Sequence, residues 1–489
     1  MSIRRAAVWS VSAQYTSFAI QFATSVIISR FFLQPAEVGI FSIALAAAMM
    51  LAIFQDMGVT RFISGQPQMR PEALGDYLSL TIAIAWSVAA ILIVGAPWLA
   101  NFYGEPDLVI LVRLIGASYI LVPFATVSSA LLVRDMDFRG LFWVNAGSAF
   151  AGNIAAVALA ALGFSAMSLA WGVLITALSR AAVAQLMRPV MPRIKPRWPF
   201  IAPLLSFGSS SFLLNASAAV GQRSQDLIVG RLLGIYATGL FSRASALASQ
   251  LAMLTTSAIN SVFYPAFAKK RDAGEPLAQP YLHLMACNTA LNWAAMTGLA
   301  ISAEPLVRIL YGEEWTGVAP LLLWTAIGEM LFVAMPLQMD VPILLGRIRT
   351  LVWINFLETA AAVTILTVAS TISLEAAAIS RVVYAFVWFG IYAVFLRHLL
   401  TLPIRRMMLI YSQSALSALA AGLPMIAILY WRGTGNAGLL DLLAGAALGV
   451  VIWVVALFAC RHPASQEVRL ALRTVLEPVA LTFGWKPPA

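Results

Sequence analysis

Charge is scarce in this chain, and so are the residues that usually build catalytic or metal sites. Only 11% of the 489 residues are charged, against 61% that are hydrophobic, which is far from the composition of a water-soluble globular protein. The two cysteines, Cys287 and Cys460, lie inside apolar runs, which predicts buried free thiols and excludes a disulfide framework. The three histidines, His283, His398 and His462, lack the spacing of metal ligands. We therefore expect no metal and no cofactor.

Long apolar runs fill the chain instead. Runs of about 20 residues, the length that crosses a hydrocarbon core of about 30 Å, recur from end to end. The first run follows Arg4 and Arg5, as in a signal peptide, but it is too long and lacks a clear cleavage site, so we expect it to be retained. The pattern predicts an all-α polytopic membrane protein with about fourteen transmembrane helices. The predicted helices cover 8–32, 37–60, 77–100, 108–132, 141–162, 166–187, 201–230, 235–264, 281–303, 317–341, 350–369, 375–396, 408–431 and 438–460.

Positive charge is distributed unevenly between the predicted loops. One set of loops contains most of the arginines and lysines, including the segment RPVMPRIKPRWP, whereas the opposite set contains only Arg30, Arg231, Arg308 and Arg432. Because cytoplasmic loops carry the excess of Lys and Arg, we predict that both termini are cytoplasmic. The formal charge of +10 then reflects membrane topology, so we expect no nucleic-acid partner.

The two halves of the chain repeat one pattern. Since each half has an even number of predicted helices, the match predicts two six-helix lobes related by a pseudo-two-fold axis along the membrane normal, as in transporters that rock two lobes around a central site. The matching positions are Arg30 with Arg231, Gly39-Ile-Phe-Ser with Gly239-Leu-Phe-Ser, Pro97–Glu105 with Pro305–Glu313, and Arg139–Asn145 with Arg349–Asn355.

The repeat also predicts the domain borders. Residues 1–187 and 201–396 would form the two lobes, joined by a basic, proline-rich cytoplasmic linker at 188–200 that cannot be helical throughout. Residues 408–460 would add two transmembrane helices outside the repeat. The tail at 461–489 alternates basic and apolar residues, so we expect an amphipathic segment on the inner membrane surface.

Several of these segments resemble a known family. They look like the bacterial oligosaccharide and polysaccharide flippases of the Wzx type, in particular the exopolysaccharide branch, within the multidrug/oligosaccharidyl-lipid/polysaccharide exporter superfamily. The resemblance spans about residues 5–400. The segments that carry it are Ser29–Phe41, Gln55-Asp56-Met-Gly58, LLVRDMDFRGL at 131–141, and Gly230-Arg231-Leu-Leu-Gly234 with Tyr236 and Gly239.

The resemblance implies a fold with a V-shaped cavity between two lobes. It also implies a substrate, an undecaprenyl-diphosphate-linked oligosaccharide repeat unit, which would be translocated from the inner to the outer leaflet of the bacterial cytoplasmic membrane by alternating access. A polymerase and a co-polymerase of the same pathway would be partners, and the protein would not be an enzyme.

Charged side chains inside the membrane are costly, so each is a functional hypothesis. A diphosphate head that crosses hydrocarbon needs cations, and the planar guanidinium can bind phosphate oxygens in pairs. The alternative is that Arg30 and Arg231 extend from helix ends to the headgroups. We expect that behaviour of Arg113 and Arg381, and the pattern leaves Arg180 undecided. The residues predicted to line a cationic cavity are Arg30, Arg231, Arg223, Arg243, Gln222 and Asn215.

Four acidic residues are candidates for gating or for coupling to H⁺ or Na⁺: Asp56, Asp226, Asp340 and Glu358. Asp226 follows Arg223 by three residues, so an internal ion pair is an equal alternative. Asp340 precedes Pro342, and breaks in transporter helices tend to gather ions. A buried acid kept neutral by desolvation can also be purely structural.

Three other functions compete with the flippase. An ion-coupled exporter of small cationic drugs on the same fold would need carboxylates to outnumber cations in its cavity. A membrane glycosyltransferase or polymerase would need a large outer loop and isolated catalytic acids, which the sequence lacks. A lipid II flippase is compatible with the fold, but the segment 131–141 resembles the exopolysaccharide branch. The aromatic pair Tyr311 and Trp315 could stack on sugars, although interfacial anchoring is commoner.

Overall fold

The computed structural model of the protein describes residues 3–55, 58–66 and 70–470. Every regular element in this part of the chain is a helix. The α-helices are α1 (Ile3–Phe31), α2 (Pro35–Ala52), α3 (Val59–Gly65), α4 (Pro71–Tyr103), α5 (Leu108–Arg134), α6 (Phe138–Phe142), α7 (Ser148–Ala161), α8 (Ala166–Met187), α9 (Trp198–Asp272), α10 (Ala278–Ile301), α11 (Ala303–Tyr311), α12 (Val318–Phe332), α13 (Asp340–Leu344), α14 (Ile348–Ser370), α15 (Leu374–Leu400), α16 (Ile404–Arg432) and α17 (Leu439–Ala459). A π-helical turn (Trp143–Gly147) joins α6 to α7, and a 3₁₀ turn (Glu313–Trp315) follows α11.

The all-α, multi-pass class predicted from the sequence is confirmed. Within the described residues, 10 helical segments are long and apolar enough to cross a membrane. The number of about fourteen spans stays a prediction. Both cysteines are free, as predicted, but they are half-buried rather than fully enclosed.

Proline and glycine set many of the helix boundaries. Pro35 and Pro71 begin α2 and α4, where the missing N–H has no helical partner to lose. The α2 start is capped by Glu37, whose carboxylate accepts a hydrogen bond of 2.8 Å from the Gln34 backbone N–H. Gly104 ends α4 with a φ of 73°, a left-handed conformation that glycine adopts at low cost.

Two predicted helices, 37–60 and 317–341, are longer than the observed ones. The prediction for 37–60 is too long, because α2 ends at Ala52 and the chain turns before Gly58. The predicted helices 201–230 and 235–264 lie in α9 on either side of a kink at Gly234, where φ is 88° and ψ is 174°, so the predicted break between them is confirmed. The predicted helix 317–341 ends at Phe332, and a non-helical segment leads to Asp340 at the start of α13.

The segment 131–141 is a capped turn between α5 and α6. Met136 has a φ of 54°, and the Asp137 carboxylate accepts a hydrogen bond of 3.0 Å from the Gly140 N–H. Asp135 forms an ion pair of 2.6 Å with Arg188, just beyond the end of α8. The acidic residues of this segment therefore shape a turn and fasten it to the following helical hairpin.

The chain folds into two compact units, which we call the N-terminal and the C-terminal unit. The first contains the residues up to Ser242 and Leu366–Leu374, and the second contains Arg243–Ile365 and the residues from Glu375 onwards. In the N-terminal unit, α5 packs against α4 and α8, and α7 packs against α8. In the C-terminal unit, α16 packs against α10 and α17. The lobe borders predicted from the repeat stay a prediction.

The basic linker is fastened to α4 inside the N-terminal unit. Asp76, which is 0% exposed, accepts hydrogen bonds of 2.9 Å from both the backbone N–H and the guanidinium of Arg197. The Arg193 backbone N–H donates to the Ser79 hydroxyl oxygen over 2.7 Å. This pairing explains how a proline-rich, basic segment lies in a defined position without being helical.

The duplicated Gly-x-Phe-Ser segments of α2 and α9 pack against each other, and this contact lies wholly within the N-terminal unit. A side chain on Gly39 would collide with the backbone of Ile235, and one on Gly239 would collide with the backbone of Pro35. The two hydroxyls of the repeat, Ser42 and Ser242, share a hydrogen bond of 3.0 Å. The contact is reciprocal, as in a symmetric dimer interface, and it requires glycine in both copies.

Candidate functional site

The duplicated arginines are both exposed. Arg30 lies one residue before the end of α1, with its guanidinium 5.9 Å from the ring centre of Phe31. Arg231 lies three residues before the break of α9, and its guanidinium is 4.9 Å from the ring centre of Phe102. Aromatic faces attract cations while leaving guanidinium N–H groups able to bind an anion.

Arg231 and Asp226 share a neighbour in the N-terminal unit, Tyr103. The Tyr103 hydroxyl donates a hydrogen bond of 2.9 Å to the backbone carbonyl of Leu227, and the phenol lies near both charged side chains. The repeated segment at the end of α4 therefore holds α9 just before its break. Half-buried Asp226 lies beside an arginine and a phenol, an arrangement that suits a structural or gating role.

The remaining predicted residues on α9 occupy different environments. Arg223 is half-buried and interacts electrostatically with Tyr119 on α5. Gln222 is exposed. The side chain of Asn215 lies outside the described residues.

Arg243 lies in the C-terminal unit, among aromatic side chains. Its guanidinium is 6.0 Å from the ring centre of Tyr311 and 5.8 Å from that of Trp315. These two rings are only 3% and 1% exposed, so the predictions that they anchor at the interface or stack on sugars are wrong. Both rings instead pack inside the C-terminal unit, next to the guanidinium of Arg243.

The predicted acidic residues of the C-terminal unit, Asp340 and Glu358, occupy different environments. Asp56 lies outside the described residues, and Asp340 is exposed at the start of α13. Glu358 is 6% exposed, next to Asn355 at 1%. The Tyr392 hydroxyl donates a hydrogen bond of 2.7 Å to the Asn355 side-chain oxygen and lies within reach of Glu358. One Glu358 carboxyl oxygen and the Asn355 amide nitrogen are buried without a hydrogen-bond partner among the described residues, so the polar groups of this cluster are only partly satisfied.

A buried ion pair that the sequence did not predict lies in the same unit. Arg381 on α15 is 2.7 Å from the Glu329 carboxylate on α12, and the two side chains are 12% and 11% exposed. The prediction that Arg381 extends to the headgroups is therefore wrong, because its charge is neutralised inside the protein. Arg113, by contrast, is exposed on α5.

A cavity of about 620 Å³ lies inside the N-terminal unit. Its wall is formed by α1, α2, α3, α5, α7 and α8, and it is lined mainly by hydroxyl, amide and small apolar side chains. Among the described lining residues, Arg180 alone is charged. The polar lining residues are Gln21, Thr24, Thr60, Ser118, Tyr119, Thr126, Ser129, Asn153, Thr176 and Arg180.

Arg180, which the sequence left undecided, is held by a residue of the repeat. Its guanidinium donates a hydrogen bond of 2.8 Å to the Asn145 side-chain oxygen, and Asn145 lies in the π-helical turn. Such turns displace a side chain from the regular helix pattern and are frequent at functional sites. In the sequence, the repeat match singles out Asn145, but it does not reveal that Arg180 is the residue that Asn145 binds.

Comparisons with known proteins place the chain in a family. A family model described as "Polysaccharide biosynthesis protein" matches residues 27–320, more than half of the chain. The chain belongs to this family. Membership confirms, at the family level, the resemblance to polysaccharide flippases that the sequence suggested.

Individual members of the polysaccharide biosynthesis family are similar over long ranges. The succinoglycan biosynthesis transport protein ExoT of Rhizobium meliloti (strain 1021) is 28% identical over 464 residues, which cover 91% of each chain. The lipopolysaccharide biosynthesis protein WzxC of Escherichia coli (strain K12) is 22% identical over 319 residues, 64% of each chain.

Solved structures show the fold that this family member adopts. The lipid II flippase MurJ, in an inward closed conformation, matches with a TM-score of 0.75 at 11% identity, covering 92% of this chain and 98% of MurJ. An inward-facing multidrug resistance MATE family transporter of the MOP superfamily matches with a TM-score of 0.57 at 15% identity, covering 80% of this chain and 98% of the transporter. At these identities the likeness concerns the fold alone.

Proposed function

We propose that the protein is a flippase that translocates an undecaprenyl-diphosphate-linked oligosaccharide repeat unit from the inner to the outer leaflet of the bacterial cytoplasmic membrane. Family membership and the full-length similarity to a succinoglycan transport protein support transport in polysaccharide synthesis. The excess of Lys and Arg in one set of loops supports cytoplasmic termini. A polymerase and a co-polymerase of the pathway are the expected partners.

The observation that carries the proposal is the exposure of two duplicated cations. Arg30 and Arg231 lie at matching positions in apolar helices, yet their side chains are accessible and lie against aromatic rings. Maintaining accessible charge in such helices is costly. A diphosphate head is a ligand that suits both side chains, because each guanidinium can bind two phosphate oxygens.

The proposed mechanism is alternating access. The diphosphate binds to the arginines while the polyprenyl tail remains in lipid, and the two halves of the fold then rearrange to open the path outward. Asp56 and Asp226 are proposed to act in gating.

A coupling ion is proposed at the acidic residues of the C-terminal unit. Glu358 is the first candidate and a proton the preferred ion, because the carboxyl is almost completely enclosed and one of its oxygens has no hydrogen-bond partner among the described residues, an environment that favours a neutral carboxyl. Asp340, which is exposed at the start of α13, is the second candidate for binding the coupling ion. A proton-driven cycle would load Glu358 on one side of the membrane and release it on the other.

The test is deletion of the gene in its host, followed by mass spectrometry of polyprenyl-diphosphate-linked glycans in lipid extracts. We expect complete repeat units to accumulate and surface polysaccharide to be lost. Wild type should restore export, whereas the Arg30→Ala/Arg231→Ala double variant should not. Arg113→Ala removes another exposed arginine from an apolar helix and serves as the matched control.

The other outcomes discriminate between the competing functions. A truncated glycan would indicate a glycosyltransferase, and single repeat units at the surface would indicate a polymerase. Intact surface polysaccharide without any lipid-linked intermediate would contradict the flippase. A drug exporter would then be tested by measuring the efflux of cationic dyes.

A further inference from the structure

The cavity of the N-terminal unit has the size of a ligand site. Its volume of about 620 Å³ lies within the range of about 300–1,000 Å³ that is usual for small-molecule sites. It is lined by residues of six helices of one compact unit. Several of its lining side chains are polar, although the helices around it are apolar. Polar groups at membrane depth are costly, so they are retained where they serve a function.

The lining side chains present hydrogen-bond acceptors to the cavity. The hydroxyls of Ser118, Thr126 and Thr176 donate to carbonyls of their own helices, over 2.6, 3.0 and 2.8 Å. The Asn153 amide nitrogen donates to the Ala149 carbonyl over 2.6 Å. Each hydroxyl has used its one hydrogen, so its oxygen remains as an acceptor, and the Asn153 amide keeps its oxygen and one N–H. A ligand that matches them must carry several O–H donors.

The cavity also contains one fixed positive charge. The Arg180 guanidinium is exposed, and its hydrogen bond to Asn145 leaves further N–H groups to donate. No carboxylate occurs among the described lining residues, so the charge calls for an anionic group on the ligand. A small inorganic anion would satisfy the guanidinium but would be repelled by the acceptor oxygens.

We propose that this cavity is a saccharide subsite that binds a sugar residue bearing one negative charge. The anionic group, a carboxylate, pairs with Arg180, and the sugar hydroxyls donate to the acceptors on α5, α7 and α8. The inference rests on the proposed function, because it assigns the sugar to the glycan that the flippase carries. It adds recognition of the glycan itself to recognition of the diphosphate.

Binding is tested on the full-length purified protein, independently of transport. D-glucuronate and D-glucose are titrated in saturation-transfer NMR, with acetate and chloride as anions that lack the hydroxyl groups. We expect glucuronate to bind best. Arg180→Gln should lower the affinity for glucuronate about tenfold or more, since the charge-assisted hydrogen bond is lost. It should change the affinity for glucose by less than about threefold.

A second variant keeps the proposal falsifiable if Arg180→Gln does not fold. Thr126→Val removes one hydrogen-bond acceptor and should lower the affinities for glucuronate and for glucose to the same degree. Ser87→Ala, which removes a hydroxyl from an exposed part of α4 with the same kind of helix hydrogen bond, should change neither. Equal binding of acetate and glucuronate, or no binding of either sugar, would overturn the proposal.

Competition identifies the source of the sugar. The lipid-linked glycan extracted from the deletion strain should displace glucuronate from wild type. Failure to displace it would overturn the assignment to the carried glycan. The test separates the two proposals, because glucuronate binding can persist if lipid-linked glycans are not exported, and glycan export can persist if this cavity binds no sugar.

Discussion

The duplicated asparagines Asn145 and Asn355 occupy matching positions in the repeat but serve opposite chemistries. In the N-terminal unit, Asn145 binds an exposed arginine at a cavity. In the C-terminal unit, Asn355 accepts a hydrogen bond from Tyr392 next to Glu358, where both Asn355 and Glu358 are almost completely enclosed. The two copies have kept the amide and diverged in its partners.

This difference suggests a division of work between the units. An accessible cation is suited to binding an anionic ligand that enters and leaves. An enclosed carboxyl is suited to binding a proton, which needs no cavity. The Arg381–Glu329 pair of the C-terminal unit is another enclosed charge cluster, whereas Arg30, Arg180 and Arg231 of the N-terminal unit are accessible.

The largest expected effect comes from breaking the buried pair. Arg381→Ala would leave Glu329 as an uncompensated buried acid and should lower the free energy of unfolding by about 3–5 kcal/mol. Arg113→Ala, on the exposed surface of α5, should change it by less than about 1 kcal/mol. The measurement is equilibrium unfolding in mixed micelles. Similar losses for both variants would remove the proposed contrast between enclosed and accessible charge.

Acid should act on the C-terminal unit first. All three histidines lie in this unit, and burial lowers the pKa of His462, beyond the end of α17, to about 4. The folded state thus binds fewer protons than the unfolded state between about pH 4 and 6.5, so stability is full above about pH 6.5 and falls as the pH drops towards 4, by at most about 3 kcal/mol.

Hydrogen exchange measured at pH 7.5 and 5 tests this prediction. Once exchange is corrected for its intrinsic pH dependence, protection of α16 and α17 should fall at pH 5 while that of α7 and α8 remains. His462→Gln should remove the difference, because glutamine does not titrate. Equal loss of protection in both units of the wild type would contradict the assignment to His462.

The duplicated glycines Gly39 and Gly239 contrast with the asparagines, because each glycine still meets the backbone of the other segment. Gly39→Ala should cost about 1–3 kcal/mol, since the new methyl group meets the Ile235 backbone, which cannot move as a flexible side chain would. Gly95→Ala, on α4 with open space around it, should be neutral or stabilising. Thermal unfolding of the two variants is the check, and a Gly39→Ala protein as stable as Gly95→Ala would refute the close contact.

The smallest expected difference concerns the two asparagines themselves. Asn355→Ala leaves the buried Tyr392 hydroxyl without its acceptor and should cost about 1–3 kcal/mol. Asn145→Ala should cost less than about 1 kcal/mol, because the exposed Arg180 can bind water instead. The measurement is the free energy of unfolding of both variants under the same conditions. A larger cost at Asn145 would reverse the interpretation of the two clusters.

The sequence predicted the internal repeat, but it did not predict which side chains the buried and cavity-lining arginines contact. The apolar runs predicted the helical class because hydrocarbon admits few alternatives, and the matched Gly-x-Phe-Ser segments proved to contact each other. The end of α12 was missed because apolar residues continue beyond Phe332. The partners of Arg243, Arg180 and Arg381 could not be predicted, since each contact joins helices distant in sequence.

The most direct test of the flippase is transport by the purified protein in liposomes. A lipid-linked glycan carrying a fluorescent label is placed in both leaflets, and the fraction accessible to an external quencher is followed over time. Wild type and Arg113→Ala should make the inner-leaflet label accessible, and the Arg30→Ala/Arg231→Ala double variant should be about tenfold slower or worse. Inner-leaflet label that stays protected with wild type, or a double variant as fast as wild type, would contradict translocation by the duplicated arginines.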